Sequence, residues 1–170
     1  MTTPASLPPS GPSPETLAAL PLFPLGTVLY PGGLAVRSIP VQASVTLPAG
    51  WELASALRVK ERRGDTWHFE PGSLETLADS PLFAGRHHQQ IALDPQGAAK
   101  PVVLHLFADA PEQLKASDEQ IEAHRALVRQ TDLLMGSRHF RHYDFLLSLS
   151  ERMGGIGLEH HESSENGVRP

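Results

Sequence analysis

Arg-His-Tyr-Asp-Phe-Leu-Leu-Ser-Leu-Ser occupies residues 141–150, and Gly-Gly-Ile-Gly-Leu-Glu-His-His-Glu-Ser-Ser follows at 154–164. The first stretch predicts a strand over 143–149, and the apolar residues on both of its faces predict burial on both sides. The second stretch is rich in glycine and carries Glu159 between an apolar and an imidazole neighbour. Such a segment is suited to holding a carboxylate against a bound ligand.

The composition predicts one compact domain. With 170 residues, 40% of them hydrophobic, the chain can bury a single core. The formal net charge of -5 provides no basic stripe, so we expect neither nucleic acid nor an anionic membrane as a partner. The lack of cysteine excludes disulfides and thiolate metal ligands. Because the sequence has no apolar membrane span and no secretion signal, we expect a cytoplasmic protein.

The N-terminal part consists of short segments separated by proline and glycine. Proline recurs among Ser, Thr and Gly at the start of the chain and predicts a disordered tail over 1–19. The apolar run at 20–30, which prolines interrupt, predicts a small hairpin. Alternation of apolar and polar residues predicts a strand over 41–47. Weaker strand patterns at 51–59 and 66–69 flank the polar segment 60–65, which predicts a hairpin turn.

The remaining segments predict another hairpin and one long helix. Strands over 89–93 and 101–107 flank an Asp-Pro-Gln-Gly turn, whereas 73–80 is long enough for only one helical turn. A helix is predicted over 118–135, since Ser117 and Gln120 form a capping-box pattern and Gly136 follows as a stop. The prediction is an α+β fold: an antiparallel, β-rich N-terminal part followed by one long helix, which lies on a small sheet.

Nine histidines raise the question of a metal site. The zinc-binding pattern His-Glu-x-x-His does not occur in the chain. The nearest approach, 161–165, ends in glutamate and runs into an Asn-Gly turn signal. The pairs His87-His88 and His139/His142 are more typical of surface or packing residues. We therefore expect no metal ligands and no catalytic residues in this chain.

From about Val41 onward, the chain resembles the glycyl aminopeptidase family of thermolysin-like zinc metallopeptidases. The order and spacing of four segments carry the resemblance: Leu47-Pro48-Ala49-Gly50-Trp51, Leu77-Ala78-Asp79-Ser80-Pro81, His142-Tyr143-Asp144-Phe145-Leu146-Leu147 and Gly157-Leu158-Glu159-His160. The resemblance implies that 41–110 is part of the N-terminal β domain. It implies that 111–170 is the truncated start of a thermolysin-like catalytic domain.

The same resemblance assigns a substrate-binding role to Gly157, Leu158, Glu159 and His160. Related aminopeptidases hold a glutamate at this place that receives the free amino group of the peptide. Glu159 would take that role, and His160 would orient it or fill space. The alternative is that Glu159 is an exposed edge-strand charge that opposes aggregation.

The family's zinc ligands and general acid are absent from this sequence, so the cofactor, zinc in the full-length family, has no counterpart here. We therefore expect a partial aminopeptidase-like chain that is inactive alone and binds a peptide amino terminus. Another protein chain could complete the domain. The alternative is a non-enzymatic peptide- or protein-binding module.

A second resemblance concerns the segment 20–40. Its first residues, Leu20 to Gly33, look like the opening of the substrate-recognition domain of Lon-type proteases. Leu34 to Pro40 then departs from that pattern. The segment is therefore predicted as a Lon-like hairpin fused to the aminopeptidase-like part.

Overall fold

The computed structural model describes residues 18–20, 28–153 and 155–169. They form a mixed, strand-rich fold with two α-helices and several sheets. None of the helices described is long and apolar enough to cross a membrane. In chain order, the elements are β1 (Ala18–Leu20), β2 (Pro40–Val41), β3 (Ser44–Thr46), β4 (Glu52–Ser55), β5 (Val59–Arg63), β6 (Thr66–Phe69), β7 (Gly72–Ser73), α1 (Leu74–Ala78), β8 (Leu82–Gly85), β9 (His87–Ala92), β10 (Val102–Ala108), α2 (Asp118–Met135), β11 (Tyr143–Leu149), β12 (Ile156–Glu159) and β13 (Ser163–Val168).

The N-terminal part is built from small antiparallel sheets. They have the strand orders β1-β8-β4, β3-β6-β5 and β2-β7. The first two of these sheets share an apolar core, in which Phe69 and Leu82 are central and Trp67 packs at the margin. The strands are short, so this core, rather than any single ladder, holds the sheets β1-β8-β4 and β3-β6-β5 together.

The C-terminal part is a five-stranded mixed sheet of order β12-β13-β11-β10-β9. β10 pairs in parallel with β11, and β11 in parallel with β13, whereas the two outer pairs are antiparallel. A parallel pair needs a long crossover, and α2 lies in the connection between β10 and β11. In this strand order, β12 and β9 are the two edge strands of the sheet.

Both faces of this sheet are covered in part. On one face, Leu104 and Leu106 pack with Val128 of α2. On the other face, Phe107 and Leu146 pack against the N-terminal sheets, and the ring centroids of Phe83 and Phe107 lie 6.1 Å apart. The sheet thus joins the N-terminal part to α2 through two apolar layers.

The helix α2 has the bounds that the sequence predicts, Asp118–Met135. The Ser117 side chain accepts a hydrogen bond from the Gln120 backbone, and the Gln120 side chain accepts one from the Ser117 backbone. Gly136 ends the helix in the left-handed conformation, with φ 71°. The local signals at both ends were therefore sufficient to define this element.

Several predictions for the N-terminal part were wrong. Ala18 and Ala19, placed in the disordered tail, belong to β1, which pairs with β8. Residues 51–59 are not one strand: β4 ends at Ser55, and β5 begins at Val59 in a different sheet. Most of the predicted turn 60–65 belongs to β5, because an exposed edge strand tolerates consecutive polar residues.

The hairpin predicted over 20–30 is described only at its ends. Leu20 ends β1, and Val28 to Tyr30 form no regular structure. Residues 21–27 lie outside the described part of the chain.

Candidate functional site

Glu159 is the last residue of the edge strand β12. This strand pairs antiparallel with β13, with Glu159 opposite Ser164 and Gly157 opposite Asn166. Within the described residues, no strand pairs with its other side. All four side-chain positions of β12 are exposed, and a Cβ added at Gly157 would meet no atom within 4 Å. β12 therefore offers an open backbone edge with a carboxylate at one end.

The turn after Glu159 is held by Asp79, which follows α1. The His161 backbone N–H donates to Asp79 Oδ2 at 2.9 Å, and His161 Nδ1 lies 2.7 Å from the same oxygen. His160 Nδ1 lies 3.3 Å from Asp79 Oδ1. The His160 backbone N–H donates to the Ser163 carbonyl at 2.8 Å and closes the turn. One carboxylate of the N-terminal part thus contacts both residues that follow Glu159.

His160 is the least exposed of the side chains at 160–162, at 12%. Its Nδ1 faces Asp79, and its Nε2 lies 3.7 Å from Oε1 of the buried Glu165 on β13. The imidazole therefore lies between two carboxylates that come from distant parts of the chain. This position lets the imidazole support the turn; the predicted roles of His160, to orient Glu159 or to fill space, stay predictions.

The pKa of Tyr143 reflects the charges around Glu159. Burial raises the pKa of the Tyr143 phenol, a hydrogen bond with Ser164 lowers it, and the negative charges of Glu159 and Asp79 raise it further. The two carboxylates therefore both act on the same phenol. This end of β12 is an acidic environment, suited to a cationic group.

A cavity of about 450 Å³ opens beside the same turn. Its wall includes Glu75, Asp79, Arg141 and Glu162. Glu162 accepts hydrogen bonds from the Arg141 guanidinium, from Nε at 3.0 Å and from Nη2 at 2.7 Å. This interaction lowers the pKa of Glu162 to about 2. Glu162 is therefore ionised at neutral pH, and its pairing with Arg141 fixes the second end of the turn.

A second polar cluster lies where the N-terminal sheets meet the five-stranded sheet. His88 Nε2 lies 3.1 Å from His105 Nδ1, and His105 Nε2 lies 3.0 Å from Asp144 Oδ1. His142 Nδ1 lies 2.7 Å from Asp144 Oδ2. These four side chains form a continuous chain of contacts beside a cavity of about 340 Å³.

Burial and His105 lower the pKa of His88 to about 4. Burial alone would raise the pKa of Asp144, but the hydrogen bonds with His105 and His142 lower it below its ordinary value. The cluster therefore carries a neutral His88 and an ionised Asp144 at neutral pH.

The sequence analysis gave no role to Asp79, His105 or Asp144, and it interpreted His88 and His142 as surface or packing residues. Asp144 and His105 interrupt otherwise apolar strands, and a polar residue in a buried strand is a signal that could have pointed to them. The contact between Asp79 and His160 spans 81 residues, so no local spacing indicates it.

The described residues do not fit a zinc ion. Among them, no group of three or more His, Cys, Asp or Glu side chains could hold a metal ion. His105 and His142 each place a ring nitrogen within hydrogen-bond distance of Asp144, and His88 contacts His105. These side chains therefore contact one another in pairs and do not form a convergent ligand set. No chemical step in this part of the chain can be assigned to a bound metal.

Comparisons with known proteins agree with this architecture. Residues 22–86 match the family profile of the Peptidase M61 N-terminal domain. The matched range covers less than half of the chain and includes most of the segment 20–40, which the sequence analysis predicts as a Lon-like hairpin. No curated protein sequence matches the chain.

Two of the solved structures to which the chain is similar show how far the likeness extends. One is an aminopeptidase N family protein from Idiomarina loihiensis, at 20% identity and a TM-score of 0.63; the similarity covers 78% of this chain and 22% of that one. The other is an M1 zinc metallopeptidase from Deinococcus radiodurans, at 14% identity and a TM-score of 0.45, covering 75% and 29%. The first likeness shows a shared fold, and the chain spans only 22% of the length of that structure.

Proposed function

We propose that this chain is part of a metalloaminopeptidase-type protein and that β12 binds the amino terminus of an extended peptide, with Glu159 as the partner of the ammonium group. One observation carries the proposal: the exposed carboxylate of Glu159 lies at the end of a strand whose outer edge no described strand covers. The match of residues 22–86 to a metallopeptidase N-terminal domain supports a peptide as the ligand class.

The direction of β12 supports an amino terminus as the group at Glu159. A peptide that adds to a sheet edge gains backbone hydrogen bonds along the strand. If the peptide runs antiparallel to β12, its first residue lies opposite the last residue of β12, which is Glu159. An ammonium group beside a carboxylate then forms charge-assisted hydrogen bonds, worth about 1.5–3 kcal/mol. Peptides with a blocked amino terminus would lose this contribution.

Binding of short peptides tests the proposal. The affinity of a peptide with a free amino terminus is compared with that of its N-acetylated form, for the wild-type chain and for Glu159→Gln. We expect a preference of about tenfold or more for the free amine in the wild type and loss of that preference in the variant. Glu119→Gln removes an exposed carboxylate at the start of α2 and is the control. An unchanged preference in Glu159→Gln would contradict the proposal.

We further propose that the 170-residue chain has no peptidase activity by itself. The basis is that the described residues provide no metal-binding group that could activate water. Zinc content and the hydrolysis of glycyl and alanyl amides are measured on the same purified sample. Stoichiometric zinc together with turnover would contradict this part of the proposal. A preference for N-terminal glycine is a finer prediction that the same substrates test.

A second candidate is a protein-binding module or a chain that requires a partner to complete its domain. Large apolar side chains are exposed on the C-terminal half of α2, with Leu134 80% exposed, and a groove of about 400 Å³ runs beside Leu127 and Met135. Exposed apolar patches of this kind mark interaction surfaces. Self-association in light scattering, reduced by Leu134→Ser, would favour this candidate. A monodisperse monomer would count against it.

A further inference from the structure

A single carboxylate of the N-terminal part holds the turn that follows the edge strand β12. Asp79 accepts the His161 backbone N–H at 2.9 Å and contacts His160 Nδ1 at 3.3 Å. His161 is largely exposed, so its ring contact with Asp79 adds little. The backbone hydrogen bond to a charged acceptor and the contact with the mostly covered His160 contribute more.

Asp79 is itself firmly placed. Its backbone N–H donates to the Glu75 carbonyl at 3.0 Å, which ends α1. The next residue, Ser80, is buried and donates its hydroxyl to the Thr76 carbonyl at 2.7 Å. The helix α1 is therefore a rigid support for the carboxylate, as a positioning group requires.

β12, in contrast, has few restraints of its own. It pairs on one side only, with β13, and its four side chains are exposed. Its C-terminal end depends on the turn at 160–162, which is held from two directions. Arg141 holds Glu162, and Asp79 holds His160 and His161. Of these two sets of contacts, those of Asp79 are nearer in sequence to Glu159 than the contact between Arg141 and Glu162.

We infer that Asp79 is a positioning residue: it fixes the turn after β12 and thereby sets the place of the Glu159 carboxylate at the free edge. The inference rests on the proposed function of Glu159. It adds that the N-terminal part does more than pack against the sheet, since one of its side chains determines how well the edge strand selects a free amino terminus.

The test combines two measurements on the full chain. The first is hydrogen exchange of the amides of β12 and of the following turn. Asp79→Ala removes the acceptor of the His161 N–H, so these amides are expected to exchange about tenfold faster or more, while those of β10 and β11 are unchanged. Unchanged exchange in β12 and the turn would overturn the inference.

The second measurement is the ratio of affinities for free-amine and N-acetylated forms of one peptide. In Asp79→Ala the preference for the free amine is expected to fall by about tenfold. Asp79→Asn keeps an acceptor for the His161 N–H and is expected to retain part of the preference. A variant that merely unfolds would lose affinity for both peptides alike.

Glu75→Ala is the matched control. Glu75 lies on α1, lines the same cavity and carries the same charge, but its side chain makes no hydrogen bond to the turn among the contacts of the described residues. We expect it to leave both measurements unchanged. An effect as large as that of Asp79→Ala would show that net charge, not positioning, is responsible, and would overturn the inference.

The amine-binding role of Glu159 and the positioning role of Asp79 can be refuted separately. If the wild type shows no preference for a free amine, the proposed role of Glu159 fails, and hydrogen exchange alone decides whether Asp79 holds the strand. If the wild type shows the preference and Asp79→Ala keeps it despite faster exchange, the proposed function stands and the positioning role is refuted.

Discussion

Replacing Arg138 by alanine should destabilise the protein more than replacing the exposed Arg129. Arg138 lies just after α2 and is 16% exposed. Its Nη1 and Nη2 donate to the two carboxylate oxygens of Asp94 at 2.6 and 2.8 Å. Its Nε and Nη2 donate to Asp132 at 2.8 and 2.5 Å. Arg138 therefore ties the end of α2 to the turn between β9 and β10.

The expected loss follows from the burial of the partners. The Asp94 side chain is only 11% exposed, but neither Asp94 nor Arg138 is fully buried, so the cost should lie below the about 3–5 kcal/mol of a fully buried pair. Asp132 is more exposed, so its contribution is below about 1 kcal/mol. Asp94 keeps one further hydrogen bond, from the Val102 N–H at 2.8 Å, which offsets part of the cost. We expect Arg138→Ala to lower the free energy of unfolding by about 2–3 kcal/mol.

Urea unfolding at neutral pH measures this loss. Arg129→Ala is the control, because Arg129 and Glu122 form a pair in which both side chains are more than half exposed, and its loss should stay below about 0.5 kcal/mol. The double variant Arg138→Ala with Asp94→Asn should lose less than Arg138→Ala alone, since it leaves no unpaired buried charge. A loss below about 1 kcal/mol for Arg138→Ala would refute the reasoning.

The contribution of Arg138 to stability depends on pH. The hydrogen bonds from Arg138 lower the pKa of Asp94 below its ordinary value of 3.8. A group whose pKa is lowered by folding stabilises the protein above its unfolded-state pKa, and that contribution is lost as the pH falls. The difference between wild type and Arg138→Ala should therefore be full at neutral pH and shrink below about pH 4.

Two further predictions concern acid stability and the end of α2. Because folding lowers the pKa of His88 from 6.5 to about 4, the stabilising effect of its neutral form is present above about pH 6.5 and is lost as the pH falls towards 4. After allowance for solvent screening, the free energy of unfolding should fall between pH 7 and pH 4 by about 1–2 kcal/mol more in the wild type than in His88→Gln. Chemical unfolding at the two pH values measures this difference, and equal falls would contradict the prediction. Gly136→Ala places a side chain at φ 71° and should lower the unfolding free energy by about 1 kcal/mol; thermal unfolding that matches wild type would count against the role of Gly136 as the helix stop.

The elements that could be predicted from the sequence are those with local signals. The bounds of α2 follow from Ser117, Gln120 and Gly136, whose hydrogen bonds and φ value are local properties of the chain. The strands β9 and β10 follow from alternation of residue type around a turn. No residue pattern predicts β12, and an edge strand enters the sequence analysis only as the alternative role of Glu159.

The elements that could not be predicted depend on long-range pairing. The parallel register of β10 with β11 brings Val102 beside Tyr143 across a connection that includes α2, and no pattern within either strand specifies it. The polar strand β5 looked like a turn because its exposure depends on its place at a sheet edge. The pairing of Asp79 with the turn after Glu159 likewise exists only in the folded chain.

The decisive experiment for the role of Glu159 is a structure of the chain in complex with a short peptide that carries a free amino terminus. We expect the peptide to lie antiparallel along the outer edge of β12, with its ammonium group within hydrogen-bond distance of the Glu159 carboxylate. A peptide bound at another surface, or bound at β12 with its amino terminus away from Glu159, would contradict the account.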